Sequence, residues 1–198
     1  MFTSRSTAYL PALALMGGIA LAGPAAAEAQ KYLLDASHSQ IVFSYNHLGY
    51  STTTGMFSGF EGEIQFDQEN PAASSVTVAF PVRTMLTGWQ ERFDHFMSPD
   101  FFGATEEEMV TFTSTAIEVT GEKTARITGD LTLNDVTKSV VLDAVLNQVG
   151  DHPMAGKPWA GFSATTTLYR SEFNLGMFAP YVSDEVQVQI SVEAMKAE

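Results

Sequence analysis

The sequence predicts an all-β fold, an antiparallel barrel or sandwich of about eight strands with one short helical insert at about 88–102. Three observations carry this. Apolar and polar residues alternate with a period of two through most of the chain beyond residue 30. Short polar turns separate the alternating runs. One aromatic-rich segment breaks the rhythm and shows helical spacing instead.

In chain order, "SQIVFSYNH" (39–47) opens the pattern, with Ile41, Phe43, Tyr45 and His47 on one parity. "TTTGMFSGFEGEIQF" (52–66) is long for one strand, and Gly55, Gly59 and Gly62 predict bulges or sharp coiling along it. "SSVTVAFPV" and "VTFTSTAIEV" read as strands. Between them, "LTGWQERFDHFMSPDFFG" offers Thr87 and Gln90 as a capping box, then Trp89, Phe93 and Phe96 at helical spacing. Ser98 and Pro99 predict a second helical turn. "ARITGDLTL" and "SVVLDAVLNQV" flank "NDVT", a hairpin turn. "FSATTTLYR" places Phe162, Ala164, Thr166 and Leu168 on one face. "VQVQISVEA" alternates Val186, Val188, Ile190 and Val192 with polar residues, as a strand with one dry and one wet face does.

The first residues stand apart. Arg5, the apolar "LPALALMGGIALAG" and the small "PAAAEAQ" are arranged as a secretory signal peptide, expected to span residues 1–29 with cleavage after Ala27 or Ala29. The apolar run is short and Gly-rich for a membrane span, so an uncleaved anchor is the lesser reading. Residues 30–198 then form one domain, exported and expected in the periplasm. The chain has no Cys, so packing and hydrogen bonds replace disulfides. The formal net charge of −13 repels nucleic acid and anionic head groups.

The residues offer little for catalysis or metal binding. The four histidines are His38, His47, His95 and His152, and no H-x-H, H-x-x-x-H or H-E-x-x-H spacing joins them. An odd separation puts His38 and His47 on opposite faces of a regular strand, unless His38 precedes it. There is no G-x-S-x-G elbow and no Gly-rich phosphate cradle. The run Glu106–Glu108 reads as a solvated loop. What remains is an apolar excess, 14 Phe and 9 Met, with strands enough to enclose a cavity. For any single one of these residues, ordinary core packing is the favoured reading over ligand lining.

The ordered series "YLLDASHSQIVFSYNHLGYSTTTGMFSGFEGEIQFD", "SSVTVAF", "TGWQERFDHFMSPDFF", "TFTST", "ITGDLTLNDVTKSVVLDA" and "AGFSATTTLYRSEFNLG" resembles the YceI-like polyisoprenoid-binding family across the chain beyond the leader. The resemblance implies an extended, lipocalin-like eight-stranded barrel that encloses a long isoprenoid or similar amphiphile: a polyprenyl chain, an isoprenoid quinone or a fatty amide. It implies no enzymatic activity, no metal and no cofactor beyond a bound lipid or quinone. Dimers and transient contact with the membrane or a membrane cytochrome also belong to what it implies. On that fold the cavity wall is expected from Phe43, Tyr45, Phe60, Phe66, Phe112, Phe162 and Leu168, and the lid from Trp89, Phe93, Phe96 and Phe101. His47, Arg92 and His95 are the head-group candidates.

The chain departs from the family pattern at its insert. Where R-D-x-H is common, it reads Arg92-Phe93-Asp94-His95, and Met97 stands where a basic residue often follows. A Pro usual before "TF" is missing, "NGVT" is "NDVT", and "VTKP" is "VTKS". A pyrophosphate needs guanidinium forks or several N–H donors, whereas a quinone or amide needs one or two hydrogen bonds. The expectation is therefore a neutral head group. Two other readings stay open from the residues alone, a secreted hydrolase or isomerase using the histidines and an interaction module with a filled core.

Overall fold

A computed structural model of the chain describes Met1 and residues 28–198. The segment read as a signal peptide lies almost wholly outside the described residues. The architecture is a closed, lipocalin-like antiparallel barrel with one short helix. Ten strands fill its eight places: β1 (Gln30–Leu34), β2 (Gln40–His47), β3 (Ser51–Phe57), β4 (Glu61–Phe66), β5 (Ser75–Pro81), β6 (Met109–Val119), β7 (Thr124–Leu133), β8 (Val136–Asp151), β9 (Pro158–Tyr169) and β10 (Glu185–Lys196). The helix α1 is Gln90–Met97. β1 and β2 lie end to end along the same edge of β10, with Leu34 opposite Ala194 and Gln40 opposite Ser191. β4 pairs with β1 and β3 with β2, so each of these two places in the ring is one interrupted strand.

Both interruptions have local causes. Between β1 and β2 the Asp35 carboxylate accepts the Ser37 N–H (2.9 Å) and the Ser37 hydroxyl (2.6 Å), which closes a turn where extended chain would otherwise continue. His38 stands in this turn, ahead of the strand, and its Nδ1 lies 2.7 Å from Asp35 Oδ2. Between β3 and β4 the chain turns at Gly59, whose φ of +73° suits glycine. Thr84 Oγ1 holds that turn, 2.8 Å from the carbonyls of both Ser58 and Pro81. The long "TTTGMFSGFEGEIQF" run is thus two strands.

Two β-bulges, at Thr115 in β6 and Asn147 in β8, set which residues face inward. In β6 the inward parity passes from Val110 and Phe112 to Ile117 and Val119. In β8 it passes from Val140, Leu142, Ala144 and Leu146 to Val149. Without the extra residue, every apolar side chain past these points would face solvent. The "NDVT" hairpin is a two-residue turn with Asn134 and Asp135 both at positive φ (51° and 59°), as a type I′ turn requires.

Two glycines let aromatic rings lie flat on the wall. A Cβ at Gly55 would stand 2.2 Å from Phe43 Cζ, and one at Gly129 would stand 2.3 Å from Phe112 Cζ. Two buried clusters flank the interior. One joins Phe57, Phe60, Phe80, Val82, Met85, Met97 and Val110 beneath α1. The other joins Tyr32, Ile64, Phe66, Ala160 and Ala194 toward the opposite end.

Candidate functional site

Along the barrel axis runs a cavity of about 930 Å³, within the range that takes a small-molecule or lipid ligand. Its wall follows from the alternation: strands turn an apolar parity inward, as Val186, Val188, Ile190 and Val192 of β10 show, while β3 adds Ser51 and Thr53 to Phe57. All seven expected wall residues line it. Phe43 and Tyr45 come from β2, Phe60 from the turn before β4, Phe66 from β4, Phe112 from β6, and Phe162 and Leu168 from β9.

α1 and the turn after it cover one end. Trp89, Phe96 and Phe101 line the cavity there. Phe93 does not. It packs on the buried cluster under the helix, with the Arg83 guanidinium 5.5 Å above its ring. The helix begins two residues later than the capping-box reading places it. Trp89 is the N-cap and no side chain caps it; Thr87 Oγ1 instead donates to Trp89 O (2.8 Å), and Gln90 donates to Asp94 (2.9 Å). Ser98 ends α1 and also opens the turn that follows: its hydroxyl donates to His95 O (2.7 Å) and accepts the Asp100 N–H (3.3 Å), and the Phe101 N–H donates to Ser98 O (3.0 Å).

The three polar candidates also reach the cavity at this end. His47 closes β2 and bridges to Val182. Arg92 spends one N–H on Thr87 O (2.9 Å) and lies 5.8 Å from the Trp89 ring. The His95 ring meets Phe101 edge-on at 5.0 Å, and its Nε2 is 3.7 Å from Asp100.

Sequence reasoning missed the segment between β9 and β10. Arg170, Phe173, Leu175, Phe178 and Val182 all contribute to the lining, next to Tyr169 at the end of β9. The signal was present in "FNLGMFAPYV", an apolar, charge-free stretch where a polar connection is expected. Arg170 organises this segment. Its Nε donates to Ser183 O (2.8 Å), Nη1 to Leu175 O (2.6 Å) and Met177 O (3.1 Å), and Nη2 to Val182 O (2.8 Å). Burial pulls the guanidinium below its ordinary value, and Asp184 offsets part of that. Four of its five donors are therefore occupied by the protein's own carbonyls. The opposite end was also missed; Gln68, Glu122, Lys123 and Thr124 line the cavity there.

One cluster lies apart from the cavity. Asp35, His38 and Glu193 bring ligand-type atoms within 4.8 Å of one another on the outside of the barrel. Each is already engaged: His38 with Asp35, and Glu193 as acceptor of the Trp159 indole N–H (2.8 Å).

An antiparallel barrel closed around an apolar, axial cavity defines a ligand-enclosing barrel of the lipocalin type. Within that class, residues 32–194 match the YceI-like domain, and the chain belongs to the YceI-like family. It is 41% identical over 175 residues to protein YceI of Shigella flexneri, covering 88% of this chain and 91% of that one. Among solved structures it resembles the YCEI protein of Campylobacter jejuni, with a TM-score of 0.68 and 30% identity over 77% of this chain and 90% of that one. A polyisoprenoid-binding domain from Saccharophagus degradans has the same fold, with a TM-score of 0.65 at 13% identity over 84% of this chain and 98% of that one.

Proposed function

We propose that the protein binds one long isoprenoid or similar amphiphilic lipid inside the barrel, without transforming it, and carries or sequesters it in the periplasm. The observation that carries this reading is the cavity of about 930 Å³ whose wall is apolar along the strands. A polyprenyl tail exposes several hundred Å² of apolar surface to water, each worth about 25 cal/mol when buried. The fold shared with a polyisoprenoid-binding domain supports the same ligand class.

The polar groups at the helical end favour a neutral head such as a quinone or amide. Arg92 and Arg170 are the cationic lining residues there, and backbone carbonyls take four of the five Arg170 donors. A phosphate would find too few free donors in a chain of net charge −13. His47, Arg92 and His95 supply the one or two hydrogen bonds that a carbonyl head needs. Export rests on the leader composition, and the reading requires no metal or enzymatic step.

Native mass spectrometry with organic extraction, on protein exported with its own leader, tests the reading. A neutral isoprenoid as the main adduct is the expected result; a polyprenyl phosphate overturns the head-group assignment. Substituting Ala164→Trp, which projects an indole into the cavity from β9, should abolish the adduct while leaving the fold intact. Undiminished lipid in A164W would place it elsewhere and overturn the cavity reading.

A further inference from the structure

The loops at the helical end of the barrel expose an unusual set of side chains. Leu48 and Tyr50 lie in the β2–β3 turn, Leu86 and Trp89 ahead of α1, and Phe178 and Tyr181 between β9 and β10. Tyr50 is 91% exposed, Tyr181 76%, Trp89 59% and Phe178 53%. The β2–β3 turn and the β9–β10 loop meet directly, with α1 beside them. The Leu48 N–H donates to Tyr181 O (3.0 Å), and Leu86 exchanges two backbone hydrogen bonds with Met56 of β3 (3.0 and 2.7 Å). The Phe178 ring lies 6.3 Å from His95 and 6.2 Å from Phe101, beside α1. Trp89 and Phe178 belong both to this surface and to the cavity lining, so the surface borders the cavity at this end.

Charge sets its loops apart from α1 beside them, which carries Glu91, Arg92 and Asp94. The chain has 23 Asp and Glu, yet "LGY" (48–50), "LTGW" (86–89) and "GMFAPYV" (176–182) contain no charged residue. A surface serving only solubility would carry its share. Trp and Tyr set apolar rings among acyl chains while their N–H and O–H groups stay hydrated, which suits them to the bilayer interface. The acidic body is repelled by anionic head groups, which selects a neutral lipid surface. We propose that this rim docks on the zwitterionic surface of a bilayer and aims the cavity mouth at the head-group layer, where a lipid enters or leaves. The purpose of the contact rests on the lipid-binding reading; the contact itself is independently measurable.

The chain has two tryptophans, and Trp159 sits on β9 near the opposite end, so W159F leaves Trp89 as a reporter on the rim. With phosphatidylcholine vesicles, Trp89 emission should shift to the blue and become shielded from acrylamide. The pair Y50E/Y181E should weaken partitioning by about tenfold or more. Neither tyrosine lines the cavity, so this variant should still bind parinaric acid, a fluorescent polyene, as the unaltered protein does. Absence of any shift with vesicles, with polyene binding intact, overturns the docking proposal. So does a dimer in sedimentation equilibrium that Y50E/Y181E converts to monomer without change in vesicle partitioning, because the rim would then face a second copy. Vesicle partitioning without polyene binding would uphold docking and remove the lipid-cavity reading.

Discussion

Single residues decide where this barrel bends. Asp35 turns the chain between β1 and β2, and its pairing with His38 makes that turn sensitive to pH. The hydrogen bond to Asp35, then the charge of that carboxylate, raises the His38 imidazole above its ordinary value of 6.5. Partial burial pushes the Asp35 carboxyl up, but hydrogen bonds from Ser37 and His38 outweigh it and leave it below its ordinary 3.8. The signs follow by linkage. The histidine's contribution is complete below its unfolded value and is lost as pH rises through the raised folded value. The carboxylate's contribution is complete above its unfolded value and is lost as pH falls through the lowered one. An NMR titration should give His38 a midpoint above 6.5 that falls toward it in D35N; a midpoint unmoved by that substitution would show that the pairing does not hold the turn. The sequence reading kept His38 outside the strand through parity alone. Its pairing with Asp35 was not read from the sequence, and Glu193 approaches because β10 pairs beside β1, which local pattern does not reveal.

Elements were legible where one rule governs a whole run. β9 and β10 keep one parity throughout and read directly from alternation. The long run at 52–66 did not, because its break depends on Gly59 and on a distant threonine, Thr84. The bulges at Thr115 and Asn147 were not recognised, although each leaves a mark in the sequence, a switch of apolar residues from even to odd positions. The start of α1 misled for another reason: Thr87 satisfies a local turn, and capping motifs compete with such turns. In the lid, helical spacing treated Phe93 and Phe96 alike, but the helix turns only Phe96 into the cavity and lays Phe93 on the core. The β7–β8 hairpin yields a direct test. Since Asp135 has φ +59°, D135G should stabilise the protein by about 0.5 kcal/mol, measured as an increased midpoint in urea. Destabilisation would mean that the Asp135 side chain contributes more than the backbone loses.

The whole molecule is polarised along its axis. One end presents an aromatic rim whose three loop segments carry no charge; the other places Gln68, Glu122, Lys123 and Thr124 around the lining. The strands between them turn an apolar face inward along the length, and that wall carries a thermal consequence. When a lipid enters, its tail and the wall leave water together, so the heat capacity of the system falls. For about 700 Å² of combined apolar surface the change is on the order of −0.3 kcal/mol/K. Titration calorimetry at several temperatures should therefore find binding steadily more exothermic on warming, even if the affinity changes little. A heat independent of temperature would place the lipid on a polar surface outside the barrel. The same alternation that encloses a space thus makes the protein's response to its ligand a function of temperature.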